Sequence, residues 1–404
     1  MMDFLSTALN YTTVALVFVL MISVLVAAHE LGHYLFARLF GMGVEEFAIG
    51  FGKRPIWIWM QKTYKVVDEH HPDVEATETT DFTVRPWPLG GFVRIKGMVP
   101  EDDGSEVDIP GGFYNKAPWQ RFIVLLAGPA FSVIAGILVL WPLYATIGIE
   151  RYVGVPVVEK IMPDGPAMTS DIKEGDKIVA INGQPVDSFY KLQAVLRPLG
   201  EKKVLVGVER GAEKLQIPIT PVWSDMDSMV MDEKGDATGE FARQAVLGVT
   251  INRGKDILVR LAPKDALVAA LYTPVTAVRN IVSLIKSPKN FQRSVSGPAT
   301  MVAYTKYALD KGIATVLKLA ALLSISVGIF NLLPFAPLDG GQMVVAVLET
   351  FRRGKRLSIE MQTKLGAVGM SLIVVLVLFA WFFDFKRWVM PEKESGMPKL
   401  SKQK

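Results

Sequence analysis

His29, Glu30 and His33 fall in the pattern H-E-x-x-H. On a helix, residues four apart lie about 40° apart around the axis and about 6 Å along it. Both imidazoles can then reach one metal ion, with the glutamate beside the water that the metal polarises. Zinc suits this set, because it takes imidazole nitrogens and lowers the pKa of water to about 7. Glu30 could accept a proton from that water and pass it to the leaving amine of a peptide bond. Two imidazoles and a carboxylate at the end of an apolar helix cost several kcal/mol to bury unless they pair or bind metal. A metal site is therefore favoured over a chance match in a chain with four histidines.

A catalytic zinc usually has three protein ligands. His70 and His71 lie in a polar stretch beside Pro72 and Asp73, without helical spacing, and read as solvated loop histidines. Asp339 is the better third ligand. It is the first charge after the 20 uncharged residues 319–338, within a segment from Asn331 to Gly341 that carries Pro334, Pro337, Gly340 and Gly341. Prolines and glycines there would break a helix at membrane depth, which is tolerated where a polar cavity exists. The alternative is a carboxylate capping the next helix.

These residues need apolar elements to carry them. The chain is 404 residues long, 50% hydrophobic and 21% charged, with a mean hydropathy of +0.31. No charge occurs in 122–149, 319–338 or 365–383, and each gap approaches or exceeds the roughly 20 residues that cross a bilayer as helix. With the apolar stretch from Tyr11 to Phe40, four transmembrane helices are expected. No Lys or Arg precedes Arg38, so the first is read as a retained span and not a cleaved signal. The absence of cysteine removes thiol catalysis and cysteine-ligated metal, and a net charge of +4 makes no case for nucleic acid.

The expected organisation is a first span over 1–40, a loop region over 41–121 and a second span over 122–149. A small β-rich domain follows over 150–224, then a linker with an amphipathic surface helix over 225–310. The third span covers 313–338, a basic segment 339–364, the fourth span 365–383 and a tail 384–404. Residues 61–82, polar and acidic, are expected as a loop insertion, and 223–243 as a linker. Strands are predicted at 155–161, 177–181, 203–209 and 215–219, with a helix near 188–196; Asn182-Gly183 signals a turn. Arg352, Arg353, Lys355 and Arg356 make the short loop basic, which places it and the first connection on the cytoplasmic face. The termini and the β-rich domain then lie outside.

Taken together, His29–His33, Asn331–Gly341, Phe51-Gly52-Lys53, Pro88–Val93 and Gly128-Pro129 resemble the site-2 protease family of intramembrane zinc metalloproteases, in particular its regulator-of-sigma-E type. The resemblance implies that His29, His33 and Asp339 ligate one zinc ion and that Glu30 is the general base. It implies that Asn331 holds substrate near the metal or stabilises the oxyanion. Gly90, Gly91, Phe92, Val93, Arg94 and Ile95 correspond to a membrane-reentrant β-element that pairs with an unwound substrate. Residues 153–222 are similar to a PDZ domain, one where better-known members carry two, which could bind a peptide C-terminus or filter by size. By the same resemblance the substrates are single-span membrane proteins, such as anti-sigma factors or remnant signal peptides. The setting would be a bacterial inner membrane.

Two other classes fit the sequence less well. A metal-binding scaffold or transporter should show paired half-repeats with broken helices, and neither motif recurs. A serine or aspartyl intramembrane protease lacks its G-x-S-x-G or G-x-S-G, and the Gly175-Asp176 pair falls in the β-rich domain.

Overall fold

The computed structural model describes residues 2–67, 75–99, 105, 108–163, 165–233, 235, 237–252, 255–286, 297–352 and 356–389. His70 and His71 lie outside them. The chain forms two compact units.

The first unit begins with helix α1 (Met2–Leu39), largely apolar from Val14 until it reaches His29. Its end is fixed by Gly41, whose φ of 66° belongs to the left-handed region. The Gly41 N–H donates to the Arg38 carbonyl and the Met42 N–H to the Ala37 carbonyl, the paired bonds of a Schellman cap. A four-stranded sheet follows, from β1 (Val44–Phe51), β2 (Trp57–Val67), β3 (Glu75–Val84) and β4 (Trp87–Ile95). The strand order is β2-β3-β1-β4, with β1 parallel to β3 and antiparallel to β4. Strand β4 is therefore an edge.

Residues 61–82 are not the expected loop insertion: those described belong to the long antiparallel pair β2–β3. Polarity suggested a loop, but Gln61 donates to Asp81 (2.8 Å) and Thr63 pairs with Thr79 (3.1 Å) across the strands. A hairpin needs alternation and cross-strand partners, which polar β-branched residues supply as well as apolar ones.

Helices α2 (Pro118–Thr146), α5 (Pro298–Lys311), α6 (Ile313–Asn331), α7 (Asp339–Phe351) and α8 (Ile359–Val389) complete this unit. Among the described residues, four helices are long and apolar enough to cross a membrane: Thr12–Leu39, Pro118–Thr146, Ile313–Asn331 and Glu360–Lys386. Tyr34 and Ala37 of α1, Met42, Phe47 and Phe82 from the sheet side, and Val124 and Leu125 of α2 form one buried cluster. It seats the C-terminal turns of α1 between the sheet and α2.

The second unit holds β5 (Ile149–Val153), β6 (Val157–Ile161), β7 (Lys177–Ile181), β8 (Gln184–Pro185), α3 (Phe189–Leu196), β9 (Val204–Arg210) and β10 (Glu213–Ile219). It continues through β11 (Val222–Met231), β12 (Ala237–Val246), β13 (Val249–Asn252) and β14 (Lys255–Val259). The Asn182-Gly183 turn has φ values of 49° and 80°, both positive as a tight hairpin turn requires. Ser188 caps α3 by accepting from the Lys191 N–H at 3.2 Å. Ile178, Ile181, Leu192, Val204, Val206 and Val208 pack as its core.

Two expectations change. Residues 223–243 fall largely in the antiparallel pair β11–β12, not a linker. Strand β13 joins the edge of β6, so the sheet β10-β9-β7-β6-β13 does not close by residue 224. The exposed edge of β6 is satisfied by four residues about 90 positions later, a pairing that local patterning does not announce. The expected amphipathic stretch is helix α4 (Pro263–Lys286), preceded by β14.

Candidate metal centre

Helix α1 sets His29 and His33 on adjoining turns, both buried. Each imidazole is oriented through Nδ1 by a partner on α2. His33 Nδ1 lies 2.8 Å from the Val124 carbonyl, which can only accept, so Nδ1 carries the hydrogen. His29 Nδ1 lies 2.9 Å from the Ser132 hydroxyl. The Ser132 carbonyl in turn accepts from Ser324 of α6 at 2.7 Å. A neutral His33 held this way presents a bare Nε2 lone pair.

The α2 backbone must come very close to make these bonds. A Cβ on Gly128 would stand 2.2 Å from His33 Nε2, so any side chain there displaces the ring. The Gly128-Pro129 pair, noted in the sequence only as part of a resemblance, thus has a steric reason.

Asp339 opens α7, on the far side of the two-proline loop that follows α6. That loop folds tightly back on the helix start. A Cβ on Gly340 would lie 2.4 Å from the Leu332 and Leu333 carbonyls, and one on Gly341 2.1 Å from the Ala336 nitrogen. The result aims the Asp339 carboxylate at α1 across 310 residues of sequence. Asp339 Oδ2 is 3.1 Å from His29 Nε2 and 3.5 Å from His33 Nε2, and the two Nε2 atoms are 3.3 Å apart.

These three distances test whether a metal fits. Ligand atoms about 2.0–2.1 Å from a tetrahedral zinc stand about 3.3–3.4 Å from one another. The observed spacings, 3.1, 3.3 and 3.5 Å, bracket that value. The charge balance agrees: with neutral imidazoles, Asp339 and the neighbouring Glu30 bring two negative charges to a largely buried place, which a divalent cation offsets. Among the described residues His29, His33 and Asp339 form a group able to hold a metal ion.

Glu30 is half-buried beside this group, and the Val93 backbone N–H faces its carboxylate. Val93 sits on the edge strand β4, opposite Phe47 of β1. The stretch Gly90–Ile95 is therefore an edge strand that reaches the predicted base. Asn331 ends α6 and is half-buried, eight residues before Asp339 in sequence and outside the three-residue cluster. Sequence reasoning missed Ser132, the Val124 carbonyl and the Val93 N–H. Only Ser132 left a signal, a lone hydroxyl in the apolar run after Gly128-Pro129.

The family model for Peptidase family M50 matches residues 17–67 and 72–376, well over half of the chain. Proteins named "Putative zinc metalloprotease" are similar along nearly their whole length. One from Agrobacterium fabrum is 28% identical over 383 residues, covering 91% of this chain and 94% of that protein. One from Helicobacter pylori is 29% identical over 376 residues, covering 92% and 99%. One from Campylobacter jejuni is 29% identical over 383 residues, covering 93% and 94%. Among solved structures, the PDZ domain of the SdrC-like protein from Listeria monocytogenes matches at 21% identity and a TM-score of 0.18, covering 25% of this chain and 90% of that one. A buried His-His-Asp group with an adjacent glutamate, within a family match of this extent, leads to one conclusion: the chain belongs to Peptidase family M50, the site-2 protease family, and is a zinc metalloprotease.

Proposed function

We propose that this protein hydrolyses peptide bonds within a membrane, with His29, His33 and Asp339 holding one zinc ion and Glu30 as general base. The observation that carries this reading is the convergence of three ligand atoms at zinc spacing, two of them on a helix apolar enough to lie in a bilayer. Zinc, when bound, supplies a Lewis acid and lowers the pKa of water toward neutrality.

The chain's own residues do the rest. Ser132 and the Val124 carbonyl hold the two imidazoles in place. Glu30 accepts a proton from water and delivers it to the leaving amine. The Val93 N–H, directed at that carboxylate, orients it. Asn331 contacts the substrate carbonyl or the oxyanion that develops from it.

A transmembrane helix hides its peptide bonds in internal hydrogen bonds, so it must be extended before it is cut. The edge of β4 offers a partner for the freed backbone groups. Gly90 to Ile95 would then align a substrate strand beside Glu30. The substrates fitting this arrangement are single-span membrane proteins. Regulated intramembrane proteolysis, acting on an anti-sigma factor or a remnant signal peptide, is the cellular role that follows.

We place the protein in a bacterial inner membrane, with the basic 352–364 segment cytoplasmic and the β-rich unit and termini outside. The β-rich unit could take a peptide C-terminus. The test is cleavage of a model single-span substrate by purified protein in bicelles. Wild type should cut and be silenced by a chelator, while Glu30→Gln should retain zinc and fail to cut. Undiminished cleavage by Glu30→Gln would end this account.

A further inference from the structure

Apart from the metal group, the first unit contains a second polar construction in an apolar setting. Arg121, in the first turn of α2, is 4% exposed, and its Nη2 donates to Glu349 of α7 at 2.6 Å. Glu349 is fully buried. The pair lies beside a cavity of about 290 Å³, walled by Arg121, Tyr114, Gln342, Gln362, Leu125 and Leu365 among others.

Three features indicate what this cavity takes. First, Arg121 Nε is buried and has no hydrogen-bond partner among the described residues. Buried donors are nearly always paired, so Glu349 leaves the Arg121 guanidinium short of an acceptor. Second, two guanidinium groups flank Tyr114, which lines the cavity. Arg356 stacks 3.9 Å over the Tyr114 ring, and Arg121 lies 5.1 Å from the same ring. Third, the wall becomes an apolar surface. Leu365 lines the cavity yet is 42% exposed, and Val368 and Leu372 extend the exposed apolar face of α8 at helical spacing.

We propose that this cavity binds an anionic phospholipid, its phosphate against Arg121 and its acyl chains along α8. Guanidinium groups are suited to phosphate, and lipid supplies a charged head and an apolar tail in one ligand. Ala336 and Pro337 also line the cavity, and Pro337 lies two residues before Asp339. A bound lipid would brace the loop that delivers the carboxylate. The inference rests on the reading of this chain as a membrane protein, but not on its being a protease.

The test measures binding and melting of the full-length protein in nanodiscs. With phosphatidylglycerol the melting midpoint should rise relative to phosphatidylcholine, and native mass spectrometry should show retained phosphatidylglycerol at about tenfold higher occupancy. Two variants read the cavity separately. Arg121→Gln combined with Glu349→Gln keeps a neutral hydrogen-bonded pair and removes the guanidinium. Gly366→Phe fills the cavity from α8, where an added Cβ meets nothing within 4 Å. Both should lose the preference while keeping bound zinc. Equal retention of the two lipids by wild type, or an unchanged preference in Gly366→Phe, overturns the proposal. So does a midpoint raised by inorganic phosphate in phosphatidylcholine to the same extent, which would assign the cavity to a free anion. A chain that is monodisperse without detergent would instead sink the membrane reading, and this inference with it.

Discussion

Asp339 and Asp176 are both buried or half-buried aspartates with basic partners, and they do different things. Asp176, fully buried in the β-rich unit, receives Arg210 Nε at 2.7 Å, Arg210 Nη2 at 2.9 Å and the Lys173 backbone N–H at 2.9 Å. Every donor there brings its own hydrogen, and the set is complete. Burial by itself raises the Asp176 carboxyl, but the Arg210 hydrogen bonds, the Lys173 N–H and the nearby positive charges together hold it below the ordinary aspartate range. Asp339 faces two imidazole nitrogens instead. His33 Nδ1 is already engaged by a backbone carbonyl on α2, so a neutral His33 turns a lone pair, not a hydrogen, toward Asp339. Burial alone does not mark a functional carboxylate. The kind of partner does.

Replacements that respect this contrast should separate the two sites. Asp339→Ala is expected to have the largest effect, loss of bound zinc and of proteolysis to background, read by metal analysis and substrate cleavage. If zinc content were unchanged, the ligand assignment would be wrong. Glu30→Gln should lower the cleavage rate about 10²–10⁴-fold with zinc retained. That split between metal content and turnover distinguishes a base from a ligand.

Ser132→Ala should weaken zinc binding about 10–100-fold, measured by competition with a chelator of known affinity, because His29 loses the group that orients it. Unaltered affinity would make the serine a packing residue only. Asp176→Asn should leave zinc affinity and the metal chemistry untouched and loosen only the sheet, read by hydrogen exchange of β6, β7 and β9.

The same aspartate sets an acid response. Its folded pKa is depressed, so its stabilisation is complete above the ordinary aspartate pKa of about 3.9 and is lost as pH falls through the lower folded value. Wild-type sheet protection should decline on acidification below about pH 4. The Asn variant should start lower and decline less.

Much of this protein is legible in one dimension. The i, i+4 histidines, the uncharged runs and the proline-glycine punctuation around Asp339 are local patterns, and local backbone geometry converts them directly into elements. The strands at 177–181 and 204–210 and the Asn182-Gly183 turn follow from alternation and turn chemistry in the same way. Where polarity stood in for geometry the reading failed, as in the hairpin β2–β3 and in the pair β11–β12. Polar side chains such as Gln61, Thr63 and Asp81 in the first pair resemble those of loops when read without their cross-strand partners.

By itself, then, the sequence determined the metal-binding residue types, the glutamate between them and four helices able to span a membrane. Tertiary structure alone decided what orients each imidazole, which strand reaches Glu30 and where the sixth strand of the sheet originates. The reason is range. The Ser132 and Val124 contacts join positions 103 and 91 residues from their histidines, and the Asp339 contact spans 310. Such meetings depend on how whole elements pack, and no periodicity within a single element records them.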